Sequence, residues 1–271
     1  MSGIVWLKEC QKLSHSIIGK KAARLAELKQ HSFPVPEAFV ITPDVYAKFL
    51  QDTQLHDKLS SLDLSLKQEM IVSTRMPEDL AEEITDNYEL LSADPRKASE
   101  LVETFGCRVA VRSSSSKGAT YLNIKGADNL MAAIIACWAS SFDSVPAIII
   151  QQMVDADISG TMSTDHAEDT IAIKGISGVG GNREALPATY LVSKKSREVI
   201  KWESGRQHFK MFCSSDGSIE NEEIPKHRRE AQNINDAQLK ELTRVGTKVE
   251  QQYGYPQQLR WVMAKDQVYF L

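Results

Sequence analysis

Val109-Ala110-Val111-Arg112-Ser113-Ser114 is a short apolar run that ends in an arginine and two serines. Small and β-branched residues over 108–112 predict a strand. An arginine directly after such a run is costly unless it is met by a partner. Its planar fork of donors suits a phosphate or a carboxylate. Arg112 therefore either contacts an anionic ligand or pairs with a buried acid. The chain continues as Ser115-Ser116-Lys117-Gly118-Ala119-Thr120, a polar turn in which Lys117 and the hydroxyls are further candidate anion contacts.

Upstream, residues 5–7 read as a strand and residues 20–30 as a helix, with Ala23, Leu25, Ala26 and Leu28 supplying an apolar face. Phe33-Pro34-Val35-Pro36 ends that helix, because proline cannot continue it. Residues 39–41 are a strand candidate. Thr42 before Pro43 is a cap signal for a helix over 44–50. Residues 53–105 are mostly helical, with Pro77 and Pro95 opening helices, and 129–140 is a strongly apolar helix.

Beyond 140 the character changes. Residues 148–154, 171–173, 190–193 and 199–202 are β-branched or aromatic runs separated by Gly, Ser, Asn and Lys turns. Asp236 is read as the cap of a helix with Leu239, Leu242, Val245 and Val249 on one stripe, and Gly254 as its C-terminal cap. Residues 258–271 read as a hairpin turning near Lys265-Asp266. The fold class is α/β (α+β), in two lobes: a helix-rich one over 1–140 and a sheet-rich one over 141–271. A cleft between the lobes is the expected place for a ligand.

The 271 residues are 42% hydrophobic with a net charge of -4. A charge this mild predicts no nucleic-acid partner. The apolar runs 131–139 and 147–150 fall short of the roughly 18 residues that span a bilayer, so no membrane partner is expected. The first residues carry charge and no apolar h-region, which predicts a cytoplasmic location. Cys10, Cys107, Cys137 and Cys213 are scattered without a CxxC pair, so they are read as reduced thiols rather than zinc ligands or a disulfide framework. The histidines lack metal-ligand spacing. Asp165-His166 is read as a solvated turn, and no nucleophile arrangement of a hydrolase is found.

Six stretches, in order, resemble the ATP-grasp nucleotide-binding domain of the phosphoenolpyruvate synthase and pyruvate phosphate dikinase family. They begin with Ile18-Gly19-Lys20-Lys21 running into 22–28 and 33–42, and include Val109–Ser114. Tyr121-Leu122-Asn123-Ile124 with Gly126 comes third, and Ile150–Val154 with Asp157–Met162 fourth. The loop Gly178-Val179-Gly180-Gly181 is fifth, and 249–256 with Leu259-Arg260-Trp261 sixth. The resemblance implies two lobes around a cleft, with ATP as the nucleotide. It also implies that Lys21 and Arg112 contact its phosphates, with Gly178 and Gly180 in a phosphate-binding loop. Read from its position alone, Lys21 is either such a point charge near a helix start or a solvated helix lysine.

The departures from the family fall on the chemistry. The mobile acidic lid that follows the family's arginine strand is missing at 115–120. Gly181 stands where the family has a glutamate, and Glu184 is the next acid along. The family's magnesium-binding glutamate is replaced by Arg260, and magnesium takes oxygen ligands. The chain stops at Leu271 before the glutamine and arginine of the family's last motif. Lys20 replaces a second glycine, and an arginine-bearing helix before 146–154 is lost. These changes predict no metal site, and no residue is assigned a catalytic role. Ser14-His15-Ser16 bears a slight likeness to the family's phosphohistidine motif at the wrong end of the chain, so His15 is read as a surface or cap residue.

Two expectations follow. In one, the chain is a nucleotide-binding protein unable to transfer phosphoryl groups alone, working with a separate phosphohistidine or pyruvate-binding subunit. Arg260 then takes over a metal's charge and binds an anion, as Lys117 would. In the other, the chain is a non-catalytic pseudoenzyme that serves as an interaction or regulatory subunit. Arg260 is then held in an internal ion pair, for instance with Glu184.

Overall fold

The computed structural model describes residues 3–60, 62–93, 107–115, 118–141, 146–167, 169–180 and 184–271. The helix expected after Pro95, and Ser116, Lys117 and Gly181, lie outside these. The chain forms two compact units, one of residues 1–31 and 36–153, the other of 32–35 and 154–271.

In the first unit, β1 (Ile4–Trp6), α1 (His15–Gln30), β2 (Ala38–Ile41) and α2 (Pro43–Asp52) come first. They are followed by α3 (Leu55–Ser60), α4 (Leu64–Val72), α5 (Glu78–Ser92), β3 (Val109–Ser113), β4 (Thr120–Ile124), α6 (Ala127–Ala139) and β5 (Ile148–Gln152). The sheet order is β1-β2-β5-β3-β4, all antiparallel. Because β5 sits in the middle of this sheet, the unit runs on to Met153.

Strand residues alternate between faces. Phe39, Ile41, Val109, Val111, Ile148 and Ile150 enter one core with residues of α2, α5 and α6. Trp138 anchors that core, its ring centroid 5.3 Å from that of Tyr46 and 5.2 Å from that of Phe49. The alternate positions, among them Ala110, Arg112, Ile149 and Gln151, face the other way.

Helix α1 starts earlier than the periodicity predicts, at His15, and is interrupted at Gly19 (φ 76°, ψ 161°). His15 makes a 4.0 Å contact with Glu27. Thr42 occupies the N-cap of α2 with Pro43 next, but its hydroxyl makes no capping bond. It is its backbone N–H that is used, donating to the Gly3 carbonyl at 2.8 Å.

The second unit holds β6 (Ile158–Ala167), β7 (Thr170–Ser177), β8 (Ala188–Ser193), β9 (Val199–Glu203), β10 (Phe209–Cys213) and β11 (Ile219–Glu223). They are followed by α7 (Asp236–Tyr253), β12 (Gln258–Ala264) and β13 (Gln267–Phe270). A six-stranded antiparallel sheet runs β13-β12-β6-β7-β8-β9, and β10 pairs with β11 as a separate hairpin. The sequence reading missed that hairpin, in which β10 is half-buried and β11 is polar and mostly exposed. Leu239, Leu242, Val245 and Val249 of α7 are buried as expected. A Cβ on Gly246 would stand 2.7 Å from the Met162 sulfur, so α7 lies on the face of the sheet that bears Met162.

The cap of α7 is Asn235, not Asp236. Asn235 Oδ1 accepts from the Gln238 N–H at 2.9 Å, and Gln238 Oε1 accepts from the Asn235 N–H at 3.0 Å. Asp236 is the first helical residue, which adds negative charge to the helix start without closing it. Gly254 ends the helix at φ 74°. The final hairpin turns at Lys265 and Asp266, both at positive φ. Asp165 and His166 are exposed but lie in β6, where the register against β7 is irregular, rather than in a turn. No helix among the described residues is long and apolar enough to cross a membrane.

Candidate functional site

The first unit brings the start of α1 against the end of β3. The Lys21 ammonium donates to the Ser113 carbonyl at 3.1 Å. The Ala22 N–H donates to Ser114 Oγ at 3.1 Å, and the Lys21 N–H meets the Ser114 carbonyl at 3.5 Å. Gly19 makes this approach possible, because a Cβ there would lie 2.4 Å from Ser114 Oγ. Ser113 Oγ lies 2.9 Å from Ser115 Oγ and accepts from the Ser115 N–H at 3.2 Å. Lys21 is half-buried.

Arg112 is buried at 8% exposure. Its Nη1 donates to Gln151 Oε1 at 2.9 Å, an uncharged partner from the adjacent strand. Gln151 is itself 1% exposed, and its Nε2 has no partner among the described residues. An orphaned buried amide N–H beside a buried guanidinium is costly and marks a spot suited to an acceptor-rich group. Gln151 was legible in sequence only as a polar residue ending the run Ile148-Ile149-Ile150.

The Cys137 thiol lies within the field of Lys21. Burial pushes it up to about 12, against smaller opposing effects of a Ser113 backbone hydrogen bond and the Lys21 charge. Cys10 is likewise pushed to about 12 by burial, with Glu9 adding to it. All four cysteines are free, with Cys10 and Cys137 buried and Cys107 and Cys213 half-buried. Neither buried thiol is a nucleophile near neutral pH.

In the second unit the glycine loop has work inside the fold. Gly178 stands at φ 90°, and a Cβ on it would meet the Met211 carbonyl oxygen at 2.2 Å. The Gly178 N–H donates to the Asp157 carbonyl at 2.7 Å and the Val179 N–H to the Met211 carbonyl at 3.0 Å. Those two donors are therefore committed to β10 and the approach to β6, not held ready for a phosphate. Gly180, at φ 89°, sits over Ser159, with its would-be Cβ 3.1 Å from Ser159 Oγ. No hydrogen bond to the Gly180 N–H is made by the described residues.

Arg260 is exposed on β12, between buried Leu259 and Trp261, opposite Thr161 of β6. It makes no ion pair among the described residues, so the internal pair with Glu184 is not formed. Its exposure equally argues against a closed anion pocket around this side chain alone. The position carries a cation, whereas a magnesium ion takes oxygen ligands.

The chain matches the family described as "Pyruvate phosphate dikinase, AMP/ATP-binding domain" over residues 15–147 and 143–271. It is 29% identical to a probable phosphoenolpyruvate synthase of Methanothermobacter thermautotrophicus, an alignment covering 99% of this chain and 45% of that protein. It is 30% identical to a probable phosphoenolpyruvate synthase of Methanocaldococcus jannaschii, over 100% of this chain and 26% of that protein. A rifampicin phosphotransferase of Bacillus subtilis is 26% identical over 99% of this chain and 35% of its own length. The chain thus spans a quarter to a half of the length of these relatives. A solved D-alanine-D-alanine ligase from Helicobacter pylori covers 92% of this chain at 10% identity and a TM-score of 0.41, a likeness too slight to argue from. The match over nearly all of its length makes this chain a member of the pyruvate phosphate dikinase AMP/ATP-binding domain family.

Proposed function

We propose that the chain binds the phosphates of an adenine nucleotide, ATP foremost, through Lys21 and Arg112, and does not transfer phosphoryl groups by itself. The observation that carries this reading is the junction of α1 and β3, where the Lys21 ammonium is held 3.1 Å from the Ser113 carbonyl. That contact anchors a cation next to the strand that bears buried Arg112. Phosphates need such fixed cations and donors, and a preorganised pair lowers the cost of ordering them. The orphaned Gln151 Nε2 is a further donor in the neighbourhood of Arg112.

Phosphoryl transfer needs metal, cationic clamp and positioning together. With Arg260 at the position of the family's metal ligand, this reading assigns the chain no magnesium-dependent step. The named relatives are longer than this chain, and phosphoenolpyruvate synthesis is read here as work that needs a phosphohistidine or pyruvate-binding part. A second reading, a scaffold that binds no nucleotide, is favoured by the commitment of the Gly178 and Val179 N–H groups to internal carbonyls.

Calorimetric titration with ATP, with and without magnesium, separates the two. The expected outcome is binding indifferent to magnesium and lost when Lys21→Ala and Arg112→Ala are combined in a protein that still melts cooperatively. Magnesium-dependent binding would overturn the metal-free part. Absence of binding by the folded wild type would leave the scaffold.

A further inference from the structure

The face of the six-stranded sheet opposite α7 carries a row of polar residues set by strand register. Arg260 of β12 stands opposite Thr161 of β6, Thr161 opposite Lys174 of β7, and Lys174 opposite Thr189 of β8. Directly opposed residues share a face, so Arg260 and Lys174 flank Thr161 two strand spacings apart, about 10 Å between backbones. Both long side chains can lean over the threonine. Arg260, Thr161 and Lys174 are all exposed, and neither cation forms a salt bridge among the described residues.

The acid nearest in the row is Glu203, opposite Thr189. It is engaged by Lys201 at 2.6 Å, with Lys174 only a weaker influence on it. One pleat along β6 on the same face is Ser159, 6% exposed, whose Oγ has no partner among the described residues. Gly180 lies against that hydroxyl. An exposed arginine alone would be a solvated side chain. A second cation in register, a threonine hydroxyl between them and a buried unpaired hydroxyl beside them make a different environment. Two like charges on either side of one threonine repel, and a bound anion relieves that repulsion.

We propose that this face is an oxyanion site, in which Arg260 and Lys174 hold a phosphate-type anion directly over Thr161 without a divalent cation. It goes beyond the nucleotide reading above, which uses Lys21 and Arg112 of the other unit, and stands or falls separately. The shared chemistry is a tetrahedral oxyanion, either free or as the phosphate of a nucleotide.

The test is titration of the full chain with sodium pyrophosphate, ATP and adenosine at low ionic strength in the presence of EDTA. Arg260→Ala, Lys174→Ala, Lys21→Ala and Lys240→Ala are compared. The mutated residues other than Lys21 are exposed, and Lys240 is a cation of α7. Loss of one charge-assisted contact is worth about tenfold in affinity. Pyrophosphate affinity is expected to fall by about that factor in Arg260→Ala and in Lys174→Ala, and to be unchanged in Lys240→Ala. If ATP loses affinity in these two variants while pyrophosphate does not bind at all, the anion is a nucleotide's phosphate and the site stands. Adenosine binding that falls as much as ATP binding in Arg260→Ala would overturn it. So would pyrophosphate affinity lost in Lys21→Ala and kept in Arg260→Ala, or a strict need for magnesium.

Discussion

Gly178 and Gly254 both stand at positive φ, yet they do so for different reasons. A side chain at Gly254 would meet nothing within 4 Å, whereas one at Gly178 would strike the Met211 backbone. Gly254→Ala therefore costs the left-handed penalty alone, about 1–2 kcal/mol. Gly178→Ala adds a backbone clash and is expected to cost about 3 kcal/mol. Urea denaturation of the two variants measures the difference, and equal costs would mean that the contact with Met211 does not hold the loop. The sequence marks Gly254 as a helix cap and Gly178 as part of a glycine loop. It cannot show the close approach at Gly178, because Met211 lies on a hairpin further along the chain.

At the scale of the element, α7 shows how a local signal can be read one residue out of place. Asn235 and Asp236 are both good capping types, and only the backbone decides which side chain reaches the third turn residue. Asn235 is extended and closes a reciprocal pair with Gln238. Asn235→Ala is expected to lower stability by about 1 kcal/mol, and Asp236→Ala by a few tenths through lost helix-dipole interaction. Thermal denaturation ranks the two, and the reverse order would reject the cap assigned here. The buried stripe of the same helix was fully legible, because 3.6-residue periodicity is written within the segment. Strands β10 and β11 were not, because β11 is mostly exposed and acidic and neither strand alternates between a buried and an exposed face.

For the whole molecule, buried acids define a pH limit. The thiols of Cys10 and Cys137 rise from 9.0 to about 12, and the Tyr46 hydroxyl from 10.0 to about 12, each chiefly through burial. Their folded values lie above the unfolded ones, so the folded state holds protons that the unfolded chain releases first. The stability contribution is full below pH 9 and is lost as pH rises towards 12. The midpoint of urea unfolding is thus expected to stay level from this source between pH 7 and 9 and to fall steadily above it. A midpoint unchanged up to pH 11 would mean that these groups are not buried as described. Tyr88, Tyr121 and Tyr190 are raised by burial too and act in the same direction.

What the sequence determined by itself is the inventory of segments and the residue types at their ends. Runs of small and β-branched residues marked strands at 108–112 and 148–154, proline and glycine bounded the helices, and ordered motifs pointed to the nucleotide-binding family. These signals are local, each complete within about ten residues. Only the tertiary structure decided which ends meet. Lys21 and Ser113 are 92 positions apart, and their contact depends on Gly19 letting α1 close on β3. The resemblance made the glycine loop a candidate phosphate cradle, and only the fold shows that its Gly178 N–H is taken by the Asp157 carbonyl and its Val179 N–H by the Met211 carbonyl of β10. The row Arg260, Thr161, Lys174 exists because three strands pair in one register. A slip of one residue would turn Arg260 to the other face. Register is set by the packing of the whole sheet, and no single stretch of the chain encodes it.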